Sequence, residues 1–342
     1  MSKVTVFVGL DYHKDSVQVC VLDREGHVLG NRRVVNDVVA VMRFAESLGD
    51  VARAAVESCP GAADFAEELV QNGWHVDLAH PGFVSRMKQN PDKTDFTDAR
   101  MLADLTRVGY LPRVWLAPQA VRELRRLVRY RQQLVNERRA VKLRITAMLR
   151  DQRITEPEGI SRWTRNWLAW LAMCGELSEQ SRWIVDCHVR RLQTLAGEIN
   201  AAMERLREAT ADDMIIARLL ELPGVGEVTA FVLRAEIGHF ERFTSSKQLS
   251  RFCGLSPRNA SSGNRQADAG LIKQASPLLR AVVVEAAHRL IRYDDRWGTL
   301  AKRLRSTGKP GSVVAAAVGN RWMRWLYHRL LEHSPTPHTA AA

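Results

Sequence analysis

Three strand-like runs succeed one another within the first 35 residues, before any helical periodicity begins. VTVFVGL (4–10) alternates apolar positions and stops at Asp11; SVQVCVL (16–22) and HVLGNRRVV (27–35) follow, joined by the turn-like DREG (23–26). DVVAVMRFAESL (37–48) then has helical spacing, and VARAAVES (51–58) reads as a buried strand carrying Glu57 at its end. A helix through AADFAEELVQNG leads to a short strand, WHVDLAH (74–80), and the series closes on a helix containing KTDFTDAR (93–100). Strand-strand-strand-helix-strand-helix-strand-helix describes a compact α/β domain over residues 1–112.

That last helix poses a charge problem. Asp95 and Asp98 lie three residues apart on one helical face, where like charges cost roughly 0.2–0.5 kcal/mol. Either solvent dilutes the pair or a cation sits between them. Asp11 and Glu57, each at a strand end, could gather with them at one edge of the sheet. Four carboxylates so gathered need neutralising, and their hard oxygens suit Mg²⁺. Two such ions can activate an attacking oxygen and stabilise a leaving one in phosphoryl transfer. Any single aspartate of the set is otherwise a cap or a solvated charge. Lys14, beside Asp11, could hold a phosphate or belong to a solvated basic face.

The 342 residues carry 50 Lys+Arg against 38 Asp+Glu, a formal net charge of +12 that points to a polyanionic partner, nucleic acid before membrane surface. No apolar run approaches the ~20 residues of a spanning helix. Five scattered cysteines without a CxxC pair fit reduced thiols and a cytoplasmic setting rather than a zinc site. No P-loop pattern is present, so ATP use is not expected.

From residue 118 the composition changes. VRELRRLVRYRQQLVNERRAVKLRITAMLR has no Gly or Pro and reads as one long helix; residues 118–156 hold eleven Lys/Arg against four Asp/Glu. A second long helix spans about 176–208, with Val185, Val189, Leu192, Ile199, Met203 and Leu206 as the seam of a coiled-coil hairpin over 113–211. The hairpin is either a spacer or, given its arginines, a nucleic-acid-facing or dimer-forming element. Trp163, Trp167 and Trp170 share helical spacing and read as core. Residues 212–333 read as a mainly α domain, and 334–342 as a disordered tail. In that domain Leu222-Pro-Gly-Val-Gly226 has the helix-hairpin-helix pattern: Gly224 and Gly226 would let the backbone approach a phosphate, with free N–H donors at the following helix start. An ordinary glycine turn between packed helices is the alternative.

GLDYHK (9–14), the glutamate of AAVESCPG (54–61), KTDFTDAR with the following MLADL, and FCGLSPRNASSGNR (252–265) together resemble the DEDD transposases of bacterial insertion sequences. That group includes the Piv-type DNA invertases and the recombinases guided by a bridge RNA. The resemblance covers essentially the whole chain and implies an RNase-H-like, RuvC-like first domain whose Asp11, Glu57, Asp95 and Asp98 bind Mg²⁺, with Mn²⁺ as a substitute. It further implies a serine nucleophile that links covalently to DNA. The matching residue is Ser262, with Ser261 as the adjacent alternative. Nothing local to the serine supplies a base, so the resemblance implies a site composed with the first domain's metal, shared between subunits. Arg258, Arg265 and Lys273 flank the serine and could hold the scissile phosphate. Dimers pairing into tetramers on two double-stranded DNA sites, with a structured RNA between them, complete what the resemblance implies.

Two departures from the family pattern stand out. Glu57 is followed by Ser58-Cys59-Pro60-Gly61 where the family has Glu-x-Thr-Gly, and LIKQASPLLR carries Ile272 and Ala275 where the family has Ser and Gly. Two rival readings follow from the residues: a hydrolytic RuvC-like endonuclease in which Ser262 is structural, and an architectural nucleic-acid binder without catalysis.

Overall fold

The computed structural model describes residues 4–87, 94–259, 268–272 and 274–331. The chain divides into two compact units, Met1–Gln119 and Ala120–Ala342.

The first unit is built on a six-stranded mixed sheet in the order β3-β2-β1-β4-β5-β6. Its elements are β1 (Thr5–Tyr12), β2 (Ser16–Leu22), β3 (Val28–Val35), α1 (Val38–Glu46), β4 (Asp50–Glu57), α2 (Ala62–Gln71), β5 (Val76–Ala79), α3 (Pro81–Met87), α4 (Asp95–Arg107) and β6 (Arg113–Val114). The short links between β1, β2 and β3 make those pairs antiparallel, whereas the crossover through α1 returns β4 parallel to β1. This arrangement is compatible with an RNase-H-like α/β domain. The helices and strands read from the sequence are present with ends moved by a residue or two; β6 and α3 are additions.

Alternation along β1 sorts the two faces of the sheet. Val6, Val8 and Leu10 point into a core shared with Val41 and Ala45 of α1 and Phe65 and Leu69 of α2. Gly9 and Asp11 point the other way, toward α4. On that side Cys20 and Leu22 of β2 pack with Ala99 and Ala103 of α4. Gly9 is required there: a Cβ on it would stand 2.0 Å from the Ala99 carbonyl oxygen and 2.4 Å from the Ala103 amide nitrogen. The helix backbone therefore lies directly on the strand.

The second unit is mainly helical: α5 (Gln119–Asp151), α6 (Arg165–Met173), α7 (Glu179–Ala209), α8 (Met214–Leu220), α9 (Glu227–Ile237), α10 (Ser246–Phe252), a two-stranded antiparallel pair β7 (Pro257–Asn259) and β8 (Asp268–Leu271), then α11 (Pro277–Tyr293), α12 (Asp295–Ser306) and α13 (Gly311–Leu331). At 33 residues α5 is about 50 Å long. Leu134, Val141, Ile145 and Leu149 of α5 pack on Val185, Leu195, Ile199 and Ala202 of α7. Val189 and Leu192 are only partly buried in that core; Leu195 takes the fully buried place. Trp167 is fully buried, with Trp163 and Trp170 at centroid distances of 4.6 and 5.7 Å, and its indole N–H donates to Glu156 at 2.8 Å. A separate core joins α9, α11 and α13 around Phe231, Val283 and Trp322.

Candidate functional site

The site begins with strand register. Asp11 of β1 faces Gln18 of β2, and Gln18 faces Arg33 of β3, forming one cross-strand row on the α4 side; Gly9, Cys20 and Asn31 form the next row. Gln18 donates to Asn31 at 2.7 Å, tying the rows together. Asn31 Nδ2 then donates to the Phe96 carbonyl at 3.0 Å, and Arg33 Nη2 pairs with Asp95 Oδ2 at 2.6 Å. Edge strand β3 thereby clips the first turn of α4 over the end of β1. The helix is started by Thr94, whose hydroxyl accepts from the Thr97 amide at 3.2 Å in a capping box. Asp95 is thus the first helical residue; Lys93, expected to open the helix, lies outside the described residues.

Asp95 is brought against Asp11 by this clip. His13, two residues beyond Asp11, places Nε2 3.1 Å from Asp11 Oδ2 and 3.4 Å from Asp95 Oδ2. One ligand atom from each of Asp11, His13 and Asp95 lies within 4.8 Å of the others. Asp98, one turn along, is 7% exposed, so solvent does not dilute its charge. Glu57 continues β4 one residue past Val56, the partner of Leu10, and so stands beside Asp11 on the same face of the sheet. The Cys59 thiol reports both acids: burial raises its pKa most, the Glu57 charge adds to the rise, and Asp11 contributes further.

Protein groups offset part of this negative charge. Arg33, the His13 ring and the partial positive charge at the α4 N-terminus all face the aspartates. Asp11 nevertheless has its pKa raised above the ordinary 3.8, chiefly because burial desolvates the carboxylate, with Asp95 and Asp98 adding repulsion against the counter-effect of His13. Two carboxylates and a ring nitrogen at this spacing fit a divalent cation.

A pH dependence follows from the raised pKa. Without a cation, the favourable contribution of protonated Asp11 is complete below 3.8 and is lost as pH rises through the higher folded value. A cation requires the ionised form, so its affinity should fall as pH drops through that same raised pKa. Titrations of Mn²⁺ followed by electron paramagnetic resonance between pH 4 and 8 should show the weakening begin above the range of an ordinary aspartate; a pH-independent affinity would contradict it.

The remaining sequence-read residues are placed as follows. Lys14 is exposed, and the turn it belongs to is fixed by Asn36 Nδ2, which donates to the His13 and Lys14 carbonyls at 2.9 and 3.0 Å. Gly224 has φ +76, and a Cβ there would lie 3.2 Å from Leu290; Gly226, with φ −101, precedes α9 and faces open space. Glu227, first in α9, is held by Arg207 in two contacts of 2.7 Å, so an acid already sits at that helix start. Arg258 is exposed. Ser261, Ser262, Arg265, Lys273 and the tail 334–342 lie outside the described residues. His13, Arg33 and Gly9 are the site residues that sequence reasoning missed. His13 had a local signal, its i+2 spacing from Asp11 at a strand end.

Two family models match the chain. The DEDD transposase model of the IS110 family covers residues 8–153, and the model described as "Transposase IS116/IS110/IS902 family" covers residues 216–303. The first spans Asp11, His13, Glu57, Asp95 and Asp98 together. The chain belongs to the IS110 family of DEDD transposases. Similar proteins include the transposase for insertion sequence element IS1328 of Yersinia enterocolitica, 28% identical over 95% of this chain and 96% of that protein. The transposase for insertion sequence element IS1111A of Coxiella burnetii is 27% identical over 84% of this chain and 78% of its own. A probable family 20 transposase of Pseudomonas aeruginosa is 28% identical over 94% and 95%. Family membership implies a DNA substrate and use of a divalent metal. No helix among the described residues is long and apolar enough to cross a membrane.

Proposed function

We propose that this IS110-family protein cleaves and rejoins DNA through Ser262, assisted by Mg²⁺ held on a RuvC-like carboxylate site. The observation that carries the reading is the meeting of Asp11, Asp95 and His13 within 4.8 Å at the end of β1; Glu57 and Asp98 stand outside that group, Glu57 next to Asp11 by strand register and Asp98 buried one turn along α4. Asp11 and Asp95 would hold the cation, with Glu57 and Asp98 completing the set of four. A bound Mg²⁺, or Mn²⁺ in its place, supplies Lewis-acid stabilisation to a phosphoryl oxygen. The protein's own part is to keep these ligands in register: Gly9 sets the height of α4, Asn31 and Arg33 fix its first turn, and His13 orients Asp11.

In the covalent step the Ser262 Oγ forms a bond to the scissile phosphorus, the bond to one deoxyribose oxygen breaks, and the serine proton passes to that oxygen. Attack by another deoxyribose hydroxyl reverses the exchange and frees the serine. Bond energy is conserved throughout, so no ATP is expected. Lys14, Arg258, Arg265 and Lys273 are assigned to backbone phosphates, and the Gly224–Gly226 turn to a helix-hairpin-helix contact. Guidance by a structured bridge RNA, and dimers pairing into tetramers through the arginine-rich hairpin of α5 and α7, belong to the same reading and rest on the family resemblance and the charge of the chain.

The test is a protein–DNA adduct. Protein, element-derived RNA, labelled donor and target DNA and Mg²⁺ are combined and resolved on a denaturing gel. An adduct that disappears in Ser262→Ala, while Ser261→Ala keeps it, is the expected result. Cleavage without an adduct, undiminished in Ser262→Ala but lost in Asp11→Asn, would make the protein a hydrolytic nuclease instead.

A further inference from the structure

A basic site lies within the C-terminal unit and shares no residue with the carboxylate set. Arg321, Arg324, Trp325 and His328 recur at i, i+3, i+4 and i+7, which puts all four on one face of α13. Arg296 of α12 and Ser246 of α10 close the other side, and together these six residues line a groove of about 280 Å³. A neighbouring cavity of about 500 Å³ shares Trp325 and His328 with it and reaches Leu222 and Pro223 of the glycine hairpin. The groove is therefore continuous with the turn that the sequence singles out.

The side chains lining it are largely cationic, with no acid among them. Arg296 lies 4.8 Å over the Trp297 ring and 5.8 Å from the Trp325 ring centroid. Trp297 and Trp325 meet edge to face at 6.4 Å, so the indoles support the guanidinium from the core side. The Arg324 Nε is buried and has no hydrogen-bond partner among the described residues. Arg321 bonds only its own helix among them, donating to the Ala317 carbonyl at 3.2 Å. The groove's own lining contains no acid; Glu221 lines the adjoining cavity. Three guanidiniums in one concavity, one with an unmet buried donor, require an anion with several acceptor oxygens.

We infer that the α12–α13 groove seats a backbone phosphate of duplex DNA, with the strand continuing past the Leu222–Gly226 turn. The inference rests on the reading of the chain as a DNA-acting protein but on neither the serine nor the metal. Duplex is favoured over unpaired nucleic acid because three of the six lining residues are guanidiniums and the one indole among them, Trp325, already packs edge to face on Trp297 beside Arg296, so charge rather than stacking is the main means of holding.

The experiment is fluorescence anisotropy of the full chain with duplex DNA in EDTA, from 50 to 300 mM salt, which removes any contribution from metal chemistry. The double variant Arg321→Gln/Arg324→Gln should bind about tenfold more weakly, and its log–log salt slope should be shallower by about 0.9 for the phosphate lost. Arg321→Lys/Arg324→Lys should restore the slope, and Arg43→Gln on α1 should leave it unchanged. Should the double variant melt at a lower temperature than the parent, the exposed Arg296→Gln supplies the same measurement. Unaltered affinity and slope in folded variants would overturn the inference. So would variants that lose binding to an RNA hairpin while keeping duplex DNA, which would assign the groove to RNA.

Discussion

Asp11→Asn is expected to abolish cation-dependent DNA cleavage while leaving the cation-free protein at least as thermostable as the parent. Loss and gain have the same cause. Asp11 is half-buried and lies beside Asp95 and Asp98, so its ionised carboxylate is costly until a cation or a proton answers it. Asparagine keeps an oxygen and a nitrogen where His13 makes its 3.1 Å contact but removes the charge. In EDTA the melting temperature should hold or rise. With the cation, the parent should gain about 1.4 kcal/mol at a tenfold excess over the dissociation constant, a shift of several degrees for a unit of this size. The variant should gain almost none of it. If Lewis-acid stabilisation amounts to about 4 kcal/mol, its loss lowers cleavage by about a thousandfold. A variant that melts several degrees lower in EDTA, or that keeps the full cation-induced shift, would show that Asp11 is a structural acid and not a ligand.

The paired aspartates illustrate what a sequence conveys about a site and what it does not. Their spacing, and their placement on a helix after an alternating set of strands, are local properties and were legible. Alternation in VTVFVGL and SVQVCVL likewise gave the strands, because each has one face sealed by apolar helices. Relief of the repulsion is non-local. Arg33 reaches Asp95 across 62 residues of chain, and only because the β1–β2–β3 register places Asp11, Gln18 and Arg33 in one row. Register is set by turns and by the burial of opposite faces, so a basic residue on an edge strand has no signature of its function until the pairing is known. The same holds for the helical hairpin. Its seam was read through Val185, Val189, Leu192 and Ile199; Val185 and Ile199 are buried in the core shared with α5, Val189 and Leu192 only partly, and the unread Leu195 is fully buried, a choice made by how the two helices cross. Strands as short as β6 have too few positions to show a period at all.

Gly9→Val should be the more damaging of the two substitutions for the fold and equally damaging for the site. No rotamer relieves it, because the clash involves the Cβ itself and helix backbone: the Ala99 oxygen at 2.0 Å and the Ala103 nitrogen at 2.4 Å. Ordinary carbon–oxygen contact needs over a further ångström, so α4 must lift from β1. Lifting opens the seam in which Cys20, Leu22, Ala99 and Ala103 are buried. Overpacking of this kind costs about 1–3 kcal/mol before the lost contacts are counted. Asp95 and Asp98 ride on the lifted helix, whereas Asp11 and Glu57 remain with the sheet. Metal ligation tolerates only about 0.2 Å of displacement, so the carboxylate set should lose its cation even in molecules that stay folded. Gly9→Ala places the same Cβ against the same backbone, so α4 must still lift, but with less added bulk to accommodate. It should unfold at a somewhat lower denaturant concentration in EDTA yet show no stabilisation by Mn²⁺, as followed by circular dichroism. Retained stabilisation by Mn²⁺ in Gly9→Ala would mean that the aspartates on α4 are dispensable for holding the ion, and that Asp11, His13 and Glu57 suffice.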